Sequence, residues 1–235
     1  IMPSLVGSEM CIRDRCASSY RIDSKFMNAS TEKFTLAGPA GAIEALLDLP
    51  AEGLPVRGTA VIAHPHPLFG GTMDNKVVQT LARAFVLSGW RAVRFNFRGV
   101  GGSAGVYDEG RGELKDLLAV VAHSAPEGAL ALAGFSFGAF VTSHAVAALA
   151  ARDPQAVVLV GTAASRFTVA PVAPELHDRT LVLHGEADDT VPLADVMAWA
   201  RPQTLPVTVV PGGCHFFHGQ LPLLRGLVAR HLRTV

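Results

Sequence analysis

The pentapeptide Gly134-Phe135-Ser136-Phe137-Gly138 sets a serine hydroxyl between two glycines. An apolar run, residues 129–133, leads into it, and a helix-like run, residues 139–147, leaves it. A serine on so sharp a strand-to-helix turn has its Oγ thrust out above the sheet. Glycine on both flanks avoids a clash of strand against helix. The N-terminus of the following helix aims free N–H groups and partial positive charge at any anion forming there. These are the requirements of a nucleophile. A hydroxyl attacks weakly until a base removes its proton, and the base needs a third group to orient it. Two later loops supply the residue types: Asp188 and Asp189 in one, His215 and His218 in the other. His123, His144, His177 and His231 read as ordinary helix or loop histidines.

The elements that must position these groups follow from the hydrophobic pattern. Residues 32–36 and 42–49 are short, partly alternating runs around Ala37-Gly38-Pro39-Ala40-Gly41, the pattern of an antiparallel hairpin at a sheet edge. Residues 58–63 form a continuous apolar run, as in a strand covered on both faces. It ends in His64-Pro65-His66-Pro67-Leu68-Phe69-Gly70-Gly71. Asp74 or Asn75 caps the next helix, which carries Val78, Leu81, Ala82 and Phe85 on one face and is closed by Gly89. Residues 91–97 read as a strand. The glycine-rich turn after it, residues 98–103, has neither the spacing nor the lysine of a phosphate loop, and reads as a structural turn. A helix over 113–123 points Leu114, Leu117, Leu118 and Val121 inward. Further strands are expected over 129–133, 155–160, 180–184 and 206–210, with residues 162–179 irregular. Helices are expected over 193–200 and at the end of the chain, where Leu221, Leu224, Val228 and Leu232 share a face. Strands alternating with helices predict the α/β class, a mostly parallel sheet with helices on both faces. In such sheets functional residues gather beyond the carboxyl ends of the strands, where the serine, the aspartates and the histidines all fall.

Composition narrows the function classes. The chain has 235 residues, enough for one α/β domain with a sizeable core. It is 49% hydrophobic and 17% charged, as a folded globular protein is. A net charge of +0 argues against nucleic acid as a partner. No apolar stretch reaches a membrane span. Three cysteines make no disulfide framework, and Cys214 reads as a reduced thiol. Residues 1–27 carry no periodic pattern, and part of the segment (Ser4 to Asp14) resembles a translated sequencing adapter. The expectation is a disordered or artefactual segment over 1–27 and a single domain over 28–235. No secretory layout is seen, so the expected location is cytoplasmic.

The chain resembles the α/β-hydrolase superfamily over most of residues 32–235. The motifs that carry the likeness are the serine turn, His184-Gly185-x-x-Asp188-x-x-Val191-Pro192, and Gly213-Cys214-His215-Phe216-Phe217. The long stretch from His64 to Lys76, with Arg98-Gly99-Val100-Gly101-x-Ser103, is similar to a small group of lidless bacterial serine hydrolases related to dienelactone hydrolases and prolyl-type peptidases. The resemblance implies an α/β-hydrolase fold without a large cap. It implies a triad in chain order, with Ser136 as nucleophile, Asp188 rather than Asp189 as the acid, and His215 rather than His218 as the base. It implies an oxyanion hole from the Phe137 N–H and the His66 N–H, with Leu68 next in line, since Pro65 and Pro67 have none. Leu68, Phe69, Phe135, Phe216 and Phe217 are candidates for an acyl wall, beside Phe137. The pair His64-x-His66 also admits a metal reading, but no third ligand stands at a known spacing, so no metal and no cofactor are expected. The activity implied is a carboxylesterase acting on small to medium acyl esters, small molecules being its only expected partners. A peptidase or amidase of the same fold, and a non-catalytic binding or scaffold member, stand as alternatives.

Overall fold

The computed structural model describes residues 31–53 and 55–235. Its elements run β1 (Thr31–Gly38), β2 (Gly41–Asp48), β3 (Gly58–Ala63), α1 (Lys76–Leu87), β4 (Trp90–Phe95), α2 (Arg111–Ser124), β5 (Leu130–Phe135), α3 (Phe137–Ala148), β6 (Ala156–Val160), β7 (Thr180–Gly185), α4 (Leu193–Ala200), β8 (Val207–Val210) and α5 (Leu221–His231). The expected segment over 1–27 lies outside the described residues.

All eight strands join one sheet in the order β1-β2-β4-β3-β5-β6-β7-β8. The pairs β1/β2 and β2/β4 are antiparallel, and every other pair is parallel. The apolar runs of β3, β5 and β6 are continuous because both faces are covered. Val61, Leu132 and Leu159 enter a core shared with α2, α3 and α4. Ile62, Ala133 and Val158 enter a second core, under α1 and α5. This is the mostly parallel sheet flanked by helices of an α/β-hydrolase.

The boundaries shift where tertiary contacts override local pattern. The hairpin pairs without interruption to Gly38 opposite Gly41, leaving a tight turn at Pro39-Ala40. Strand β4 stops at Phe95, two residues early: the Asn96 amide still reaches β2, but the Phe97 amide turns out of the sheet. The Asn96 N–H donates to the Glu44 carbonyl (2.9 Å) and the Phe97 N–H to the His64 ring (3.0 Å). Helix α2 begins two residues early, because buried Glu113 accepts the N–H groups of Asp108 and Gly110. Leu114 and Leu118 are only half-buried. Asp116 takes the inner position and binds Arg98 through two side-chain hydrogen bonds (2.9 and 2.8 Å).

Between β6 and β7 the only regular structure is a short 3-10 turn, Pro174–Arg179, so no large cap stands over the carboxyl end of the sheet. Among the described residues no helix is long and apolar enough to cross a membrane.

Candidate active site

Ser136 joins β5 to α3 with φ 58° and ψ −117°, a conformation that strains a residue bearing a Cβ. Its N–H is held by the Val160 carbonyl at 2.8 Å, so neighbouring β6 helps fix the turn. The flanking glycines are required by contact. A Cβ on Gly134 would lie 2.3 Å from the Gly138 carbonyl oxygen, and one on Gly138 would lie 2.4 Å from that of Ala63. Strand, helix and β3 therefore meet at closer than side-chain distance, and the serine sits at the apex.

The loops after β7 and β8 bring the other two groups to it. The Ser136 Oγ lies 3.0 Å from His215 Nε2, and His215 Nδ1 lies 2.7 Å from Asp188 Oδ2. The carboxylate fixes the tautomer: Nδ1–H donates to Asp188, leaving Nε2 to accept the serine proton. The other carboxylate oxygen accepts the N–H groups of Thr190 (2.9 Å) and Val191 (2.8 Å). Burial works against the charge of Asp188, but the hydrogen bond to His215 and the Val191 amide outweigh it and hold the carboxyl below its ordinary range. A second histidine braces the same loop. Buried His184 donates from Nε2 to the Val191 carbonyl at 2.9 Å, with Asp188 Oδ2 3.5 Å away. Asp189 is exposed and meets only the Thr190 hydroxyl (3.3 Å). His218 lies beside Cys214, away from this relay.

Neither the Phe137 N–H nor the His66 N–H donates a hydrogen bond among the described residues, and both residues line the cavity beside Ser136. The Leu68 N–H is taken, donating to His66 Nδ1 at 3.2 Å. The peptide that carries the His66 N–H also carries the Pro65 carbonyl, and that carbonyl is clamped. His64 Nδ1–H donates to it at 2.6 Å, while His64 Nε2 accepts the Phe97 N–H at 3.0 Å. Gly71 packs so close that a Cβ there would lie 2.1 Å from the same oxygen. Burial pushes the His64 pKa down to about 4, so the ring is neutral and its one N–H is committed. Both ring nitrogens being engaged, His64 has none left for a metal, and His64-x-His66 is not a ligand pair.

The cavity over Ser136 has a volume of about 300 Å³. Phe69, Phe137 and Phe216 line it, but three residues expected in its wall, Leu68, Phe135 and Phe217, do not. The Leu68 side chain is exposed to solvent, because its 3-10 turn points it outward. Phe135 is wholly buried with its ring 4.9 Å from that of His215, so it supports the base from below. Phe217 is buried in the core under α1 and α5. The wall the pattern missed comes from the irregular segment after β6: Ala163, Arg166 and Phe167. An arginine and a phenylalanine just past the carboxyl end of a strand were the available signal. The His66 imidazole lies among the rings of Phe69, Tyr107 and Phe137, 4.7–4.9 Å between centroids. Burial, then the nearby Arg166 charge, lowers its pKa. The turn over 98–103 is structural. Ser103 Oγ donates to the Asn96 carbonyl and accepts the Glu44 N–H, while Glu44 also accepts from the Gly102 N–H.

The sheet order, the strained serine and the Ser136–His215–Asp188 geometry define an α/β serine hydrolase without a lid. The chain belongs to the family described as X-Pro dipeptidyl-peptidase (S15 family), whose model matches residues 18–171. It is similar to a crystal structure from Xanthomonas campestris described as an α/β serine hydrolase without lid: 40% identity, 87% of this chain and 94% of that one, TM-score 0.78. An α/β serine hydrolase homologue from Coxiella burnetii is 39% identical over 85% of this chain and 96% of that one, with TM-score 0.72. An uncharacterized protein of Rickettsia prowazekii is 39% identical over 113 residues, 46% of this chain and 47% of that protein. The chain thus spans about half the length of the curated relative it matches.

Proposed function

We propose that the protein is a carboxylic-ester hydrolase that turns over small to medium acyl esters through an acyl-enzyme on Ser136. The observation that carries this reading is the unbroken relay from Asp188 Oδ2 through His215 to Ser136 Oγ, at 2.7 and 3.0 Å, beside two undonated amides. Ser136 Oγ attacks the ester carbonyl carbon as His215 Nε2 takes its proton. The carbonyl oxygen, now carrying the negative charge, meets the Phe137 and His66 N–H groups. The tetrahedral species collapses, His215 returns the proton to the departing alcohol, and Ser136 keeps the acyl group. Water repeats the sequence and frees the acid. Asp188 orients His215 and stabilises its cation. A site without a cap admits that water directly.

The family description raises a second reading, peptide cleavage. A dipeptidyl-peptidase must hold the terminal ammonium of its substrate. No Asp or Glu lines this cavity, and Arg166, which does, would repel an ammonium. Esters are therefore the better fit.

A fluorophosphonate probe followed by peptide mass mapping tests the mechanism. Modification is expected at Ser136 and is expected to vanish in His215→Ala. Folded protein that takes no label overturns the reading in favour of a non-catalytic member of the fold. X-Pro dipeptide anilides assayed beside 4-nitrophenyl acyl esters separate the two hydrolase readings.

A further inference from the structure

We infer that the esters this site takes carry a carboxylate a few bonds from the scissile carbonyl, held by Arg166. The inference rests on the ester-hydrolase reading and names its substrate class.

The cavity wall is largely aromatic, with Phe69, Phe137, Phe167 and Phe216. Its titratable members are His66, His215 and Arg166, and it holds no carboxylate. Burial and the neighbouring cation keep His66 neutral, and His215 is committed to the serine. The cavity therefore presents one permanent charge, and it is positive.

Elsewhere near the sheet ends arginines are neutralised: Arg94 by Asp48, Arg98 by Asp116, Arg179 by Asp153. The Arg166 guanidinium makes no hydrogen bond or ion pair among the described residues. Unpaired arginines are ordinary on an open helix face. Arg166 is itself exposed, but it stands on the wall of a cavity beside a nucleophile, on a fixed turn. The N–H groups of Arg166 and Phe167 both donate to the Ala163 carbonyl, at 3.2 and 3.1 Å. The Phe167 ring stacks on Phe140 at 4.7 Å and 15°, and lies 5.9 Å from the His66 ring. The backbone is thus pinned, while the guanidinium keeps its planar fork of donors free. That fork matches the two oxygens of a carboxylate. A neutral acyl chain would leave those donors to water alone, whereas a terminal carboxylate would engage them while its methylenes lie on the phenylalanines.

The experiment compares charged and capped partners. On the acyl side these are 4-nitrophenyl hydrogen glutarate and its methyl-capped diester. On the alcohol side they are 4-acetoxybenzoate and its methyl ester. The quantity read is the charged-to-capped ratio of kcat/KM, in the wild type and in Arg166→Gln, so that intrinsic ester reactivity cancels. For at least one pair the ratio should fall about fivefold or more in the variant, mainly through KM. Arg166→Lys should retain part of it, and raised salt should erode it in the wild type. A ratio unchanged by the substitution in both pairs overturns the inference. So does an equal loss on charged and capped esters, which would mean that Arg166 serves the reaction or the fold in general. If no ester is hydrolysed and Ser136 takes no fluorophosphonate, the ester reading falls and this inference with it. Labelling without a charge preference removes this inference alone.

Discussion

At the scale of single residues, the most exacting position beside the triad is His64. Its ring joins the end of β3 to the end of β4 and holds the peptide whose other edge is the His66 N–H. Replacing it by alanine leaves a buried carbonyl and a buried amide unpaired, which costs about 1–3 kcal/mol for each, besides the cavity. His64→Ala should therefore lower kcat by at least about tenfold, with KM less affected, and lower Tm. Normal kcat in a folded variant would release His64 from any part in holding the amide. The same ring gives stability a pH dependence of known sign. Its pKa falls from 6.5 in the unfolded chain to about 4 in the fold. Between those values the unfolded state binds the proton that the native state refuses. The contribution, of order 3 kcal/mol, is complete above pH ~6.5 and is lost as pH falls toward ~4. His184 and His231, also shifted down by burial, add in the same direction. Tm should drop between pH 7 and 4.5, more steeply in the wild type than in His64→Gln. Asp188→Asn, which keeps the shape but not the charge, should reduce kcat by about 10³-fold or more. Much of this was legible in the sequence. Ser136, Asp188 and His215 stand in loops whose motifs say what they are for. Arg166 and Phe167 left only a faint trace, their place past the carboxyl end of β6, because their segment has no period and acquires its meaning when the fold lays it over His66.

At the scale of elements, two glycines of opposite kind make a test. Gly138→Ala would drive a Cβ against the Ala63 carbonyl, pushing α3 away from β3 and moving both the serine and the loop that carries His66. Activity and stability should fall together, the latter by several degrees in Tm. Gly226 lies in the exposed interior of α5 with helical backbone and open space around it. Gly226→Ala should stabilise by about 0.5–1 kcal/mol and leave turnover untouched. If Gly226→Ala lowers Tm, α5 is packed more closely than described. The buried strands were easy to read because coverage on both faces writes an unbroken apolar run into β3, β5 and β6. Their ends were not. Where β4 stops is decided by His64, distant in sequence, which takes the Phe97 amide, and the inner face of α2 by the Arg98–Asp116 pair. Neither leaves a local trace.

At the scale of the molecule, the sheet divides the interior into two cores, and the site draws on both. Phe137 belongs to one, while Phe135, which backs His215, belongs to the other. Helix α5 seals the second core against α1 through Leu224, Val228 and Leu232. Loss of either core should therefore dismantle the site. In urea, ester hydrolysis should vanish in the same transition as near-ultraviolet circular dichroism. Activity lost at clearly lower urea would show the loops after β7 and β8 opening by themselves.

The order of the parallel strands also sets a clock. The hydroxyl is in place once β5 meets α3, but its acid follows β7 and its base follows β8. As the chain leaves the ribosome, Ser136 is an ordinary alcohol through all the time the first seven strands are made. It becomes a nucleophile only when the eighth is laid down. Synthesis from one end thus leaves the unfinished chain with a serine that has no base to activate it.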